Sequence, residues 1–398
     1  MKILIVNSNL KTGGIRESLL SLVKSLGNDG HEVYLQLLDY DNEEIRICKK
    51  RLPELNVLKP LRWVYYLSTS FNTFKSEKNL SGIARKTIFR FISEIGGLKR
   101  TLYWLINKEK RTIEYDISIA YSNDIWNRNG IVFAGGCNEY VICKVKSCKK
   151  IAWIHSDPIQ LGFTHDICIK TYEKFDSIVN VSRACKNIFD EIVPEYKIKS
   201  KVVYNMFDFG RINRLSNEES PYELGRFNIV TVARLDNQAK RIDKILSCCK
   251  ELKDSGIVGF RWYIVGDGPD KEKLVSLSIK YRLNEIVVFE GEKKNPYPYM
   301  KYADVFVLTS DYESYGIVLI ESLITGTPVI TTNFPAAFEV VKNEKNGLII
   351  DNSVESISNI IKMIFKQPNI ICEMKKFIQM DSISNEVALK QFYDVVGY

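Results

Sequence analysis

The chain has 398 residues, 45% of them hydrophobic and 26% charged, with a formal net charge of +8 at pH 7. That composition excludes a disordered tail, a collagen-like fibre and a disulfide-stapled mini-protein, and at about 150 residues per domain it allows two or three domains. Three histidines (His31, His155, His165) and nine scattered cysteines without a CxxC pair speak against a metal centre and read as reduced thiols, which points to a cytoplasmic protein.

In chain order, the opening MKILIVNSNL is too soon interrupted for a secretory leader and predicts a buried first strand over 2–7. Further strands are predicted at 32–38, 116–121, 131–134, 150–154, 177–181 and 201–204, with helices at 15–26 and 183–191 among them. Residues 41–111 interrupt this rhythm and read as an insertion. The polar run RINRLSNEESPYELGR, 211–226, reads as an interdomain linker.

A second series follows, with strands at 227–233, 260–265, 286–289, 304–308, 328–331 and 347–350. Helical patterns lie at 240–253, 270–281 and 317–325. Strands such as ILIV, DVFVL and PVIT are apolar throughout, and their alternation with helices predicts parallel sheets covered on both faces. The expected fold is α/β, with two doubly wound domains facing across a cleft where ligands would bind. The longest uncharged stretch, 322–338, carries Gly326, Pro328 and Pro335, so no membrane-spanning helix is expected.

The insertion 41–111 holds 16 Lys and Arg against 7 Asp and Glu, enough to account for the whole basic excess of the chain. The remainder is near neutral, which argues against a nucleic-acid binder. Within the insertion Leu80, Ile83, Ala84, Ile88, Phe91, Ile92 and Ile95 recur at helical spacing, with Arg85, Lys86 and Arg90 largely off that stripe and Trp63, Tyr65, Tyr66, Tyr103 and Trp104 flanking it. Two readings stand side by side: a basic amphipathic helix lying on an anionic membrane, or an apolar stripe packed on the core with its basic face in water.

Several positions could carry chemistry. Gly13-Gly14 lies between the first strand and its helix, where backbone amides can approach an anion, or simply turn the chain. Arg234 and Lys240 follow the strand 227–233, and two cations beside a helix start suit a diphosphate; the alternative is a solvated basic turn. Gly266-Asp267-Gly268-Pro269 makes a tight turn after the next strand.

The densest signal is 304–331. A strand enters the loop Asp311-Tyr312-Glu313-Ser314-Tyr315-Gly316, and a helix begins near Ile317. The amides of Ser314, Tyr315, Gly316 and Ile317 would gather at the positive end of that helix. Glu313 in the loop could accept hydrogen bonds from sugar hydroxyls. Glu321, on an otherwise apolar helix, could bind a ribose or close an internal salt bridge. His155 ends an apolar strand at a carboxyl edge. Asp39-Tyr40-Asp41 forms a DxD, a pattern able to hold a divalent metal, but nothing around it supports that role.

Together these residues resemble glycosyltransferase family 4, retaining enzymes of the GT-B fold, glycosyl transferases group 1. The marker is Glu313-SYGIVLI-Glu321, supported by Gly13-Gly14, His155, VSRA at 181–184, Asn205, Arg234 with Lys240, the Gly266 turn and Gly326-Thr327-Pro328. The resemblance implies two Rossmann-like domains. Residues 1–207 would be the acceptor-side domain, 208–379 the nucleotide-sugar domain, and 380–398 a helix crossing back.

It further implies a metal-independent retaining hexosyltransferase that uses a nucleoside-diphosphate sugar, UDP-linked in preference to GDP-linked, and no other cofactor. The acceptor would be a glycan or lipid-linked saccharide of a bacterial surface polysaccharide, met at the inner face of the cell membrane. Glu313 and His155 would act on the transferred sugar. Arg234, Lys240, Gly14 and the Ser314–Ile317 amides would hold the diphosphate. Glu321, Phe289 and Gly266 would bind the nucleoside, and Gly13 and Arg16 would lie on the acceptor side. Two positions depart from the pattern: Arg16 stands where a Glu is usual, and Ser314 where a Gly is usual. Alternatives are a nucleotide-sugar 2-epimerase of similar fold and a non-catalytic nucleotide-binding protein. A dehydrogenase is disfavoured by the missing GxGxxG.

Overall fold

The structure is a computed structural model that describes residues 1–11, 13–69, 71–108, 114–122, 136–223, 225–380 and 383–398. It divides into two compact units, Met1–Phe207 with Asn385–Tyr398, and Asp208–Ser384.

In the first unit the apolar runs form β1 (Lys2–Asn7), β2 (Glu32–Leu37), β3 (Asn56–Val57), β4 (Glu114–Ala120), β5 (Lys146–Ile154), β6 (Ser177–Asn180) and β7 (Ser200–Val202). Among the described residues they make one sheet in the order β3-β2-β1-β4-β5-β6-β7, with every pairing parallel. The order reverses between β1 and β4, so the chain leaves both strands at the point where such sheets receive ligands. Ser122 fastens this point, accepting from Ser8 N at 3.0 Å and donating to Asn7 Oδ1 at 2.5 Å. The strand predicted at 131–134 lies outside the described residues.

The segment 41–111 is more than an insertion. It supplies β3 at the sheet edge, and Leu61, Val64, Leu67, Phe89, Leu102, Leu105 and Ile106 join the first unit's core. Its helices are Asn42–Arg51, Val64–Ser68, Phe71–Ser76, Leu80–Gly96 and Leu98–Asn107. The predicted stripe does not form the packed face of Leu80–Gly96. That helix buries Gly82 and Phe89 instead, and Leu80, Ile88, Phe91, Ile92 and Ile95 are exposed. The helix turns its short and aromatic positions inward because Gly82 lets the ring of Phe74 approach: a methyl there would come within 2.5 Å of Phe74.

The second unit holds β8 (Phe227–Val232), β9 (Phe260–Val265), β10 (Val287–Gly291), β11 (Val305–Leu308), β12 (Val329–Thr332) and β13 (Gly347–Ile350). Their order is β10-β9-β8-β11-β12-β13, again all parallel, with the reversal between β8 and β11. Ile229, Trp262, Val305, Val307 and Ile330 meet Ile242, Ile245, Leu246 and Leu252 of the helix Ile242–Asp254 in the core. The buried Trp262 indole donates to Thr231 Oγ1 at 3.0 Å, and Thr231 donates in turn to Val307 O at 2.7 Å, so these two polar side chains of the core are satisfied.

The presumed linker 211–226 is partly helical. Asp208 caps the helix Phe209–Ser216 by accepting from Arg211 N, and the helix buries Ile212 and Ser216, so its polar residues are the outer face of an amphipathic turn. At the other end, the helix Glu386–Val396 packs within the first unit. Asn385 brackets Phe207 with hydrogen bonds of 2.9 Å to its N–H and C=O, and Gln391 accepts from Tyr204 N at 3.0 Å. Among the described residues no helix is long and apolar enough to cross a membrane.

Candidate active site

The second unit's site grows from the sheet reversal. The loops leaving β8 and β11 emerge side by side and are tied by two hydrogen bonds to the β8 loop's backbone. Asp311 N donates to Ala239 O at 2.9 Å, and Thr309 Oγ1 donates to Lys240 O at 2.9 Å. Lys240 does not begin a long helix, as the periodicity predicts. It ends the single turn Asn237–Lys240, and Arg241, in the left-handed region at φ 50°, separates that turn from Ile242–Asp254. The break aims Lys240 at the β11 loop.

There the Lys240 ammonium pairs with Glu313 Oε1, and Ser310 Oγ donates to the same oxygen at 2.8 Å. A second ionic layer lies alongside. Asp311 takes Arg241 at 3.1 Å and Lys244 at 3.2 Å. Burial alone would raise the Asp311 pKa, but the hydrogen bonds from Arg241 and Lys244 outweigh it and hold the carboxyl below its usual range. Arg234, exposed on the β8 loop, makes no ion pair among the described residues.

Gly316 (φ 80°) starts the helix Ile317–Ile324, a conformation L side chains resist. Ser314 and Ile317 are half-buried and Tyr315 is buried. One turn in, Glu321 is 9% exposed, and Tyr297 OH donates to its Oε1 at 3.1 Å. The Arg211 guanidinium stands 5.8 Å from the Tyr297 ring and reaches its hydroxyl at 3.4 Å. Tyr297 and Arg211 were missed in the sequence. The one signal for them was that a carboxylate on an apolar helix requires a polar neighbour.

Phe289 lies half-buried on β10 at the edge of the second core. Gly266 sits where a methyl would come within 1.9 Å of Ala233 O, so that turn must be glycine for the β9 and β8 loops to touch. The contact is sealed by Leu235 N donating to Asp267 O at 2.9 Å.

In the first unit, Gly13 precedes the helix Gly14–Asn28, after β1. Arg16 is held by Glu44 at 3.1 Å and Glu17 at 3.4 Å, while Glu17 also takes Arg51 at 2.6 Å. These charges pin the helix to Asn42–Arg51, which is a structural account of Arg16. His155 follows β5 and is 6% exposed, its ring 4.3 Å from Tyr121 and stacked on Trp153 at 6.1 Å. Burial lowers its pKa to about 3, only partly offset by a backbone hydrogen bond at Tyr121, so the imidazole is neutral near pH 7. Thus Gly13, Gly14, Arg16 and His155 belong to the first unit, and the other predicted site residues to the second.

The DxD has a structural role. Asp41 caps the helix Asn42–Arg51 by accepting from Glu43 N at 2.9 Å, and Asp39 pairs with Lys11 at 3.3 Å. Among the described residues no group of three or more His, Cys, Asp or Glu is arranged to hold a metal.

Residues 215–379 match the family described as glycosyl transferases group 1. The chain is 30% identical over 197 residues to an uncharacterized glycosyltransferase of Methanocaldococcus jannaschii, covering 46% of this chain and 48% of that one. It is 29% identical over 184 residues to the N-acetylgalactosamine-N,N'-diacetylbacillosaminyl-diphospho-undecaprenol 4-alpha-N-acetylgalactosaminyltransferase of Campylobacter jejuni, covering 45% and 48%. The chain thus spans about half the length of the curated relatives it matches. The solved structure of Anabaena HepE in complex with UDP and glucose superposes with a TM-score of 0.69 at 16% identity, covering 100% of this chain and 99% of that one. At that identity the likeness is one of fold, and the fold is GT-B: two parallel-sheet α/β domains.

Proposed function

We propose that this group 1 glycosyltransferase-like protein is a retaining hexosyltransferase of family 4. It would move a sugar from a nucleoside-diphosphate sugar to a glycan or lipid-linked acceptor during synthesis of a bacterial surface polysaccharide. The observation that carries the reading is the Lys240–Glu313 pair at the sheet reversal; Arg234 lies on the same β8 loop, and the buried Glu321, held by Tyr297, lies on the helix that follows the β11 loop. The Campylobacter relative is named for transfer to a diphospho-undecaprenol saccharide, which supports a lipid-linked acceptor. The HepE structure holds UDP, which supports a UDP-sugar donor. All nine cysteines are free thiols, in keeping with a cytoplasmic place of action at the inner membrane face.

In this reading the diphosphate settles against Arg234 and Lys240, and the start of the helix Ile317–Ile324 adds its positive end. As the bond to the sugar's C1 breaks, negative charge grows on the leaving oxygen and these cations stabilise it, with no metal taking part. Glu313, released from Lys240 by the incoming phosphates, is free to accept hydrogen bonds from the transferred sugar. Glu321, oriented by Tyr297, accepts from the ribose hydroxyls. Neutral His155 would donate or accept a hydrogen bond at the sugar without carrying charge.

The test is calorimetric titration with UDP, GDP, ADP, CMP and NAD, with and without EDTA. It is followed by an assay with the matching nucleotide sugar on lipid-linked saccharides and an NMR readout of anomeric configuration. Binding of one nucleoside diphosphate that survives EDTA, followed by transfer with retention, is expected. Binding of NAD alone, or inversion at C1, would overturn the assignment.

A further inference from the structure

We propose that the outer face of the helix Leu80–Gly96 is a docking surface for an anionic lipid bilayer. At about 100° per residue, Leu80, Phe91, Ala84, Ile95 and Ile88 fall in one arc of the helix, while the buried Gly82 and Phe89 lie on the far side. The helix is therefore apolar on both faces, and only one is used. The unused face leaves Leu80 79%, Ile88 57%, Phe91 62% and Ile95 74% exposed. Scattered exposed apolar residues need no explanation, but a row of large ones along one helix face does.

The next helix, Leu98–Asn107, repeats the arrangement. Leu102, Leu105 and Ile106 are buried, while Tyr103 and Trp104 are exposed, with Lys108 4.4 Å over the Trp104 ring. Amphipathic aromatics and lysines are the side chains that settle at the level of lipid headgroups.

Two observations commit the surface to a bilayer. The first is charge: the segment 41–111 carries 16 basic against 7 acidic residues, so a second copy would bring like charge against like, whereas anionic headgroups complement it. The second is anchorage. Arg85 lies 4.7 Å over Tyr66, and Lys86 donates to Leu67 O at 2.8 Å and lies 5.1 Å over Phe71, so these cations staple the helix to Val64–Ser68 and Phe71–Ser76. The helix is thereby held with its apolar row outward, an interfacial helix in geometry. Arg90, 64% exposed, shares its charge with Glu94 at 3.2 Å on the same helix, and Arg100 on the next helix is exposed.

The experiment is co-sedimentation of the full chain with phosphatidylcholine vesicles, with and without phosphatidylglycerol, at low and high salt. Two variants accompany it: Ile88→Ser with Phe91→Ser and Ile95→Ser, and Arg90→Gln with Arg100→Gln. All these side chains are exposed, so circular dichroism should show both variants folded. The wild-type chain should bind phosphatidylglycerol vesicles and release as salt rises. The serine variant should bind at least about a hundredfold more weakly, given that each buried apolar side chain contributes tenfold or more. The glutamine variant should lose a few-fold and part of the salt dependence. Equal binding by the serine variant, or preference for neutral vesicles, would overturn the proposal. So would a dimer that the serine variant abolishes without any vesicle binding, which would assign the face to a second copy. No nucleotide sugar enters the assay, so its outcome is independent of the proposed activity.

Discussion

The Lys240 ammonium is held by Glu313 Oε1, and the two side chains are 20% and 14% exposed. A diphosphate arriving beyond β8 must therefore compete with a carboxylate for that cation, so the two partners should respond oppositely to substitution. Lys240→Met removes a charge-assisted hydrogen bond to phosphate, about 1.5–3 kcal/mol, and should weaken UDP binding about 10- to 100-fold. Glu313→Gln releases Lys240 from a partly screened pair of about 1 kcal/mol, and should tighten UDP binding about fivefold. Both should lower transfer by about a hundredfold to a thousandfold, because each removes a group aimed at the reacting sugar or its leaving group. Stability should move little, since Ser310 Oγ still donates to residue 313 at 2.8 Å when Lys240 is gone; a shift of a few degrees in Tm is the expected scale. Calorimetric titration of both variants with UDP reads the sign directly. Equal loss of UDP affinity in the two would refute the competition and, with it, the placement of the diphosphate at Lys240.

Other outcomes follow from neighbouring geometry. His155, with its pKa lowered from 6.5 to about 3 by burial, contributes stability that is present above pH 6.5 and is lost as pH falls toward 3. Its slope is about 1.4 kcal/mol per pH unit, and chemical denaturation of His155→Gln between pH 7 and 4 should show that slope removed. Gly266→Ala must displace Ala233 O, 1.9 Å from the new methyl, and should cost more than about 2 kcal/mol in urea unfolding while weakening UDP binding through the Arg234 loop. Tyr297→Phe removes the 3.1 Å hydrogen bond to Glu321 and should cost about 1 kcal/mol, with nucleoside-diphosphate affinity falling more than affinity for inorganic diphosphate. An equal fall for both ligands would detach Glu321 from the nucleoside.

Most strands were legible because parallel sheets buried on both faces require continuous apolar runs, as in Ile3–Val6 and Val305–Leu308. β3 was not, since two residues, Asn56 and Val57, carry no period. The short turn Asn237–Lys240 was not foreseen and Lys240 was placed at the start of the following helix, because periodicity cannot show that Arg241 takes a left-handed conformation. The stripe at Leu80–Ile95 was legible as a stripe, but not its direction: a helix apolar on two faces gives the sequence no means to choose which is buried. Arg16 and Asp41 looked like ligand groups in isolation, and their partners Glu44 and Thr73 stand 28 and 32 residues away.

What the sequence determined by itself was everything that depends on local pattern: two series of buried strands, the glycine turns, and the charged residues gathered at strand ends. What only the tertiary structure decided was who meets whom. The sheet reversal between β8 and β11 brings Lys240 to Glu313, 73 residues apart, and the β9 and β8 loops close only because Gly266 has no side chain. Tyr297 reaches Glu321 from a separate helix, 24 residues earlier in the chain. Such pairings rest on strand order and loop contact, which are set by long-range packing and leave no periodic trace in the chain.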